Sequence, residues 1–186
     1  MLLVWGLGIG LLLGLVLRGK IALLVERFPI WWALAAGGAR FILGNVFHLW
    51  TLAIPLSLAL LLSGLLLQWH PGRRLFVLGL VCNLLVVALN GGLMPAQVTH
   101  FEYWPPEAAA AFAAGESVHY AQPVTAETRL AFLGDWLWMP GLNQTISIGD
   151  VLMALGIGPL IAALMVTEVV NRDGFRGRLV RGLEWL

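Results

Sequence analysis

Several side chains that can carry charge or strong hydrogen bonds stand inside apolar stretches of this chain. Arg40 lies in the run 29–50, where every neighbour within several positions is apolar or glycine. A cation at mid-bilayer costs roughly 2.5–3.5 kcal/mol on insertion scales, so it needs an anion, a water-filled cavity or a route to the surface. Asn45 and His48 follow it in the same run. Asn83 and Asn90 are seven residues apart, which puts both amides on one face of a helix. Asp150 opens a later apolar run, and Asp135 precedes it. Residues of these types can pair charges and fill hydrogen bonds. They can therefore either bind a polar solute or ion, or tether one helix to another.

The elements that position them must suit an apolar solvent. The chain has 186 residues, of which 60% are hydrophobic and 11% charged. A soluble domain averages about 25% charged residues. Mean hydropathy is +0.87. These values point to an all-α integral membrane protein in one domain, 1–186. The net charge of +1 gives no field to attract nucleic acid. Cys82 is the only cysteine, so no disulfide can form within the chain. The first run, 2–17, has no basic residues ahead of it, and Arg18 and Lys20 follow it. It reads as a retained span rather than a signal peptide.

Five apolar segments come near the length needed to cross a ~30 Å core. They are 2–17, 30–48, 51–69, 75–93 and 146–170. Residues 21–28 hold Glu26 and Arg27 and read as an interfacial turn of helix that Pro29 ends. Arg18, Lys20 and Arg27 follow the first span, Arg73 and Arg74 the third, and Arg172, Arg176, Arg178 and Arg181 the fifth. The segment 94–145 holds Glu102, Glu107, Glu116, Glu127 and Asp135 against Arg129 alone. The positive-inside rule then puts the N-terminus outside, the tail 171–186 in the cytoplasm and 94–145 outside. Trp5, Trp50, Trp136 and Trp138 fall near the outer interface, and Trp31, Trp32, Trp69 and Trp185 near the inner one.

The outer segment is expected to form a small helical cap. Pro105-Pro106-Glu107 suits the start of an Ala-rich helix, and Gly115 its stop. A second short helix is expected over 125–133, with Gly134 ending it. Given this topology, Arg40 lies roughly 12 Å below the outer end of its span at 1.5 Å per residue. Arg40, Asn45, His48, Asn83, Asn90 and Asp150 then share the outer half of the membrane, whereas the inner half holds little beyond Ser63 and Glu168. Arginine stems snorkel toward the interface, and Asp150 lies in that direction. Asp135 is the alternative anion, because Ser147 and Asp150 have the spacing of a capping box that would occupy Asp150. The cluster reads either as a pocket open to the outside or as a tether that binds nothing.

Other chemistry finds less support. Gly6, Gly8, Gly10, Gly14, Gly37, Gly38 and Gly44 suit close helix packing and form no phosphate-cradling loop. His100 and His119 lack partners at metal spacing, so no metal site is expected. No cofactor is expected either. His48, with Gly44 one turn below, offers the option of a haem or chlorophyll-type pigment, although a hydrogen-bonding rim histidine is the preferred reading. Ser63 has no His and Asp in its leaflet, and no triad, dyad or zincin motif is present.

Three groups of segments resemble a bacterial family of small multi-pass membrane proteins described only as a domain of unknown function. The first is Leu17-Arg18-Gly19-Lys20 with Trp31-Trp32. The second is Asn90-Gly91-Gly92-Leu93-Met94-Pro95. The third joins Thr128-Arg129-Leu130 and Leu133-Gly134-Asp135 to Ser147-Ile148-Gly149-Asp150. Trp136-Leu137-Trp138 is more aromatic than that family's pattern. The resemblance implies a five-span protein of the bacterial inner membrane and carries no activity. The expected function is a non-enzymatic accessory or structural subunit, partnered by lipid and by a membrane protein or a second copy. The alternative is a small transporter or binding protein that uses the polar cluster, and a membrane enzyme is the third class.

Overall fold

The computed structural model describes residues 2–27, 30–67 and 73–166. Pro29, Trp69, Glu168, Arg172, Arg176, Arg178, Arg181, Trp185 and the tail 171–186 lie outside the described residues, as do the ends of the third and fifth expected spans.

The fold is mostly helical but not all-α, and the expectation of five membrane spans fails. Among the described residues one helix, Ile148–Met165, is long and apolar enough to cross a membrane. The apolar helical stretches Leu3–Val16, Trp50–Leu66 and Arg74–Leu89 are shorter. Two local causes shorten the others. The second expected span is divided between α3 (Ile30–Ala39) and a π-helical segment, Arg40–Val46, that ends before the left-handed His48. The fourth is cut at Leu89, because Asn90 caps α5 (Arg74–Leu89) and Gly91 and Gly92 take positive φ of 74° and 90°. The close approach at Gly92, where a Cβ would meet the Thr51 carbonyl, leaves no alternative to glycine.

The remaining helices are α1 (Leu2–Val16), α2 (Ile21–Arg27), α4 (Trp50–Leu67), α6 (Pro106–Ala113) and α7 (Ile148–Met165). α7 is central and packs against α1, α2 and α5, while α4 links α5 to α3 and the π segment. α1 approaches α7 through Gly6, Gly10 and Gly14, where a Cβ would strike Ala154, Gly158 or Met165. That four-residue spacing is what close backbone contact between helices requires. Gly8, Gly37 and Gly38 do not share this use, since open space surrounds each. Leu65, Phe76, Leu80, Met153, Leu160 and Leu164 form the core between α4, α5 and α7.

Residues 94–147 fold as a cap whose centre is β rather than helix. β1 (Met94–Ala96) pairs in parallel with β2 (Ala121–Pro123), and β3 (Leu137–Met139) in antiparallel with β4 (Gln144–Ile146). On its other edge β1 meets Asp135, whose N–H donates to the Pro95 carbonyl and whose carbonyl accepts from Gln97 N–H, both at 2.8 Å. α6 lies where the Pro105-Pro106-Glu107 signal puts it, with Pro106 at its first turn and Glu107 near its positive end. Its Phe112 is 5% exposed, against Ala96 and Ala121. The helix expected over 125–133 does not form. Leu130 is left-handed, and only the single 3₁₀ turn Ala131–Leu133 follows it. The Arg129 N–H is held by Asn90 Oδ1 at 2.9 Å and is not free to propagate a helix.

Candidate functional site

The polar residues meet where the cap rests on the C-terminal half of α5 and the N-terminal end of α7. Ser147, fully buried, caps α7. Its Oγ accepts from Asp150 N–H at 2.9 Å, and Asp150 Oδ2 accepts from Ser147 N–H at 3.1 Å. This closes the capping box. Asn83, in the middle of α5, joins both partners. Its Nδ2 donates to Asp150 Oδ1 at 3.0 Å, and its Oδ1 accepts from Ser147 Oγ at 2.9 Å. Gly149 and Gly79 let the two helices cross closely enough for this, and a Cβ on Gly149 would occupy the place of Asn83 Oδ1.

Asp135 comes to the same place from the cap. It is 9% exposed, and its Oδ1 has no hydrogen-bond partner. Burial, and then the charge of Asp150, push its carboxyl well above the usual aspartate range. Tyr120 stands nearby, and burial followed by the charge of Asp135 raises its phenol. Arg40 acts on Tyr120 in the opposite sense.

Arg40 itself is exposed at the head of the π segment, with its guanidinium 5.3 Å from the Tyr120 ring centroid. Among the described residues no ion pair joins it to Asp150 or to Asp135. The acid expected to receive it is committed to the capping box, so the arginine takes an aromatic face instead. His119 extends the same corner of the cap, edge-on to Trp50 with ring centroids 5.8 Å apart. Trp50 in turn covers Gly44 of the π segment.

Asn83, Asp135 and Asp150 therefore come together, with Arg40 joined to them through Tyr120. Asn90 does not share their role. Its Nδ2 donates to the carbonyls of Val86 and Arg129, so it closes α5 and anchors 129–130. It borders a separate, open cleft of about 480 Å³ lined by polar residues, among them Gln122, Thr125, Thr128 and Arg129. Asn45 and His48 are exposed and make no hydrogen bond to the cluster. Ser147 and Tyr120 are the members that sequence reasoning leaves out. Ser147 is visible there only as a cap, and no spacing connects Tyr120 to Arg40 across eighty residues.

Among the described residues no group of three or more His, Cys, Asp or Glu side chains is placed to hold a metal ion. The arrangement can hold a proton, accept hydrogen bonds at Asp135 and fix the cap to α7. At the cap's edge His100 Nδ1 donates to Glu102 Oε1 at 2.9 Å, and this bond, followed by a backbone hydrogen bond at Glu102, lowers the Glu102 carboxyl. Trp138 stacks between His100 and Tyr103, at 4.0 and 5.4 Å between centroids.

The profile of a family described as a family of unknown function, DUF5317, matches residues 21–162. That range contains every member of the polar cluster. No curated protein and no solved structure matches the chain.

Proposed function

The chain belongs to the DUF5317 family, whose function is unknown, and from that premise we propose that it is a non-enzymatic accessory or structural protein of a membrane. The observation that carries this reading is the large apolar surface left uncovered on α1, α3 and the π segment. Trp31 is 79% exposed and Val16 73%, with Ile9, Leu12, Leu34, Phe41 and Phe47 also exposed. Large apolar side chains exposed in such number on the same helices suit contact with lipid or with a partner protein. The same reading places the protein in the bacterial cytoplasmic membrane, with the basic tail 171–186 on the cytoplasmic side. Cross-linking in native membranes, followed by purification in mild detergent, should recover one stoichiometric partner or a second copy. A clean, stable monomer that cross-links to nothing sinks the accessory reading.

A second reading, a small binding protein or transporter that uses the polar cluster, is favoured by the unpartnered Oδ1 of Asp135. It expects a polar solute to raise the melting temperature at fixed pH, and Arg40→Leu to remove that shift while the protein still folds. A screen of small polar solutes that moves the melting temperature of neither form counts against it.

A further inference from the structure

Asp135 is the most enclosed carboxylate among the described residues. Its backbone is bonded to β1 through both Pro95 and Gln97, and a Cβ on the preceding Gly134 would strike the Pro95 carbonyl. The Asp135 Oδ1 is shut off from solvent with no hydrogen-bond partner, while the residue as a whole keeps 9% of its surface exposed. The titratable groups that face it are few. From α7 comes Asp150, and from the start of β2 comes Tyr120, which carries Arg40 on its ring. β1 and the turn Ala131–Leu133 bring no titratable group. Asn83 Nδ2 donates to Asp150, and its Oδ1 accepts from Ser147 Oγ. The Trp136 N–H donates to the Ile146 carbonyl at 3.2 Å, which sets Asp135 beside the capping box that holds Asp150, and Arg40 is engaged on an aromatic face. Like charges so placed in a medium of low polarity do not both ionise.

We propose that Asp135 and Asp150 form a proton-binding pair beneath the cap, with the proton resident on Asp135, and that its release loosens the cap from α7. The proton leaves to bulk water, and no bond between heavy atoms is made or broken. Both oxygens of Asp150 are already engaged, accepting from Asn83 Nδ2 and from Ser147 N–H. Ionised Asp135 would set a second negative charge beside it with Oδ1 unpaired. The strain would fall on the bonds between Asp135 and the chain at Pro95 and Gln97, and through the Trp136 N–H bond to the Ile146 carbonyl on the capping box. The site is the cluster of the second reading above, but here its occupant is a proton. The two are separable, because a solute acts at fixed pH.

The sign of the pH dependence follows from the direction of the shift. The folded value is raised above the unfolded one, near 3.9. The stabilisation is therefore complete below about pH 4 and is lost as pH rises through the folded value. In the full chain in detergent micelles, the melting temperature of the parent should fall as pH rises, and Asp135→Asn should flatten that fall and melt above the parent at the alkaline end. Equal pH slopes in the two proteins overturn the proposal. Infrared spectroscopy of the parent tests it without a variant: a protonated-carboxyl C=O band should persist after the exposed carboxyls have lost their protons, and vanish on further titration with base. A carboxyl band that disappears together with the exposed groups overturns it as well. In Asp150→Asn the band should vanish at lower pH than in the parent, and an unchanged titration removes the pair.

Discussion

Gly149 leaves room for one atom, the Oδ1 of Asn83, and the contact between α5 and α7 is built around that vacancy. Gly149→Ala would displace the Asn83 amide and break its bonds to Ser147 and Asp150 together. Overpacking of a filled site costs typically 1–3 kcal/mol, so unfolding by denaturant should show a loss of about that size. A variant as stable as the parent would mean that Asn83 can be moved at no cost. The serine–aspartate half of this arrangement is legible in the four letters Ser147-Ile148-Gly149-Asp150, because capping is local and its spacing fixed. The asparagine half is not, because Asn83 belongs to another helix and only packing brings it there. Arg40 shows the same limit. Sequence establishes that it needs a partner, and tertiary structure chooses an aromatic ring over either acid.

Between elements, two glycines of α1 make opposite predictions although they are neighbours on the sequence. Gly8 has open space around it, whereas Gly10 lies against the backbone of Gly158. Alanine is favoured over glycine in a helix interior by about 0.8–1.0 kcal/mol. Gly8→Ala should therefore stabilise by up to about that amount, and Gly10→Ala should destabilise because α1 must lift off α7. Melting curves of the two variants check this, and a shared sign would refute the assigned face. The helices follow apolar runs that a reader can see, but their ends do not. The π segment lengthens one run without making it a straight helix, and Asn90 with two glycines stops another at Leu89. The strands are less visible still. Each has three residues, two of them contain proline, and those two, β1 and β2, pair with the whole of α6 between them.

For the whole molecule, the outward apolar side chains on α1 and α3 decide how it meets its surroundings. Trp5 and Trp31 stand among them. In vesicles containing brominated lipid the tryptophan fluorescence should be quenched, and less so in Trp5→Phe and Trp31→Phe. Fluorescence indifferent to the bromine would leave that surface to a protein partner instead. Composition makes the apolar character plain from the start, yet it overstates the number of crossings, since the π segment and the stop at Asn90 break apolar runs and leave one described helix long and apolar enough to cross. The cap adds an order of events. β1 takes one partner at Ala121–Pro123 and another at Asp135, both far downstream of it. Helices close from local contacts, whereas pairings between distant residues must first meet the entropy of closing a loop. During synthesis, Met94–Ala96 therefore leaves the ribosome with both edges unpaired; one can close only once Ala121–Pro123 has emerged, and the other only after Asp135 has followed.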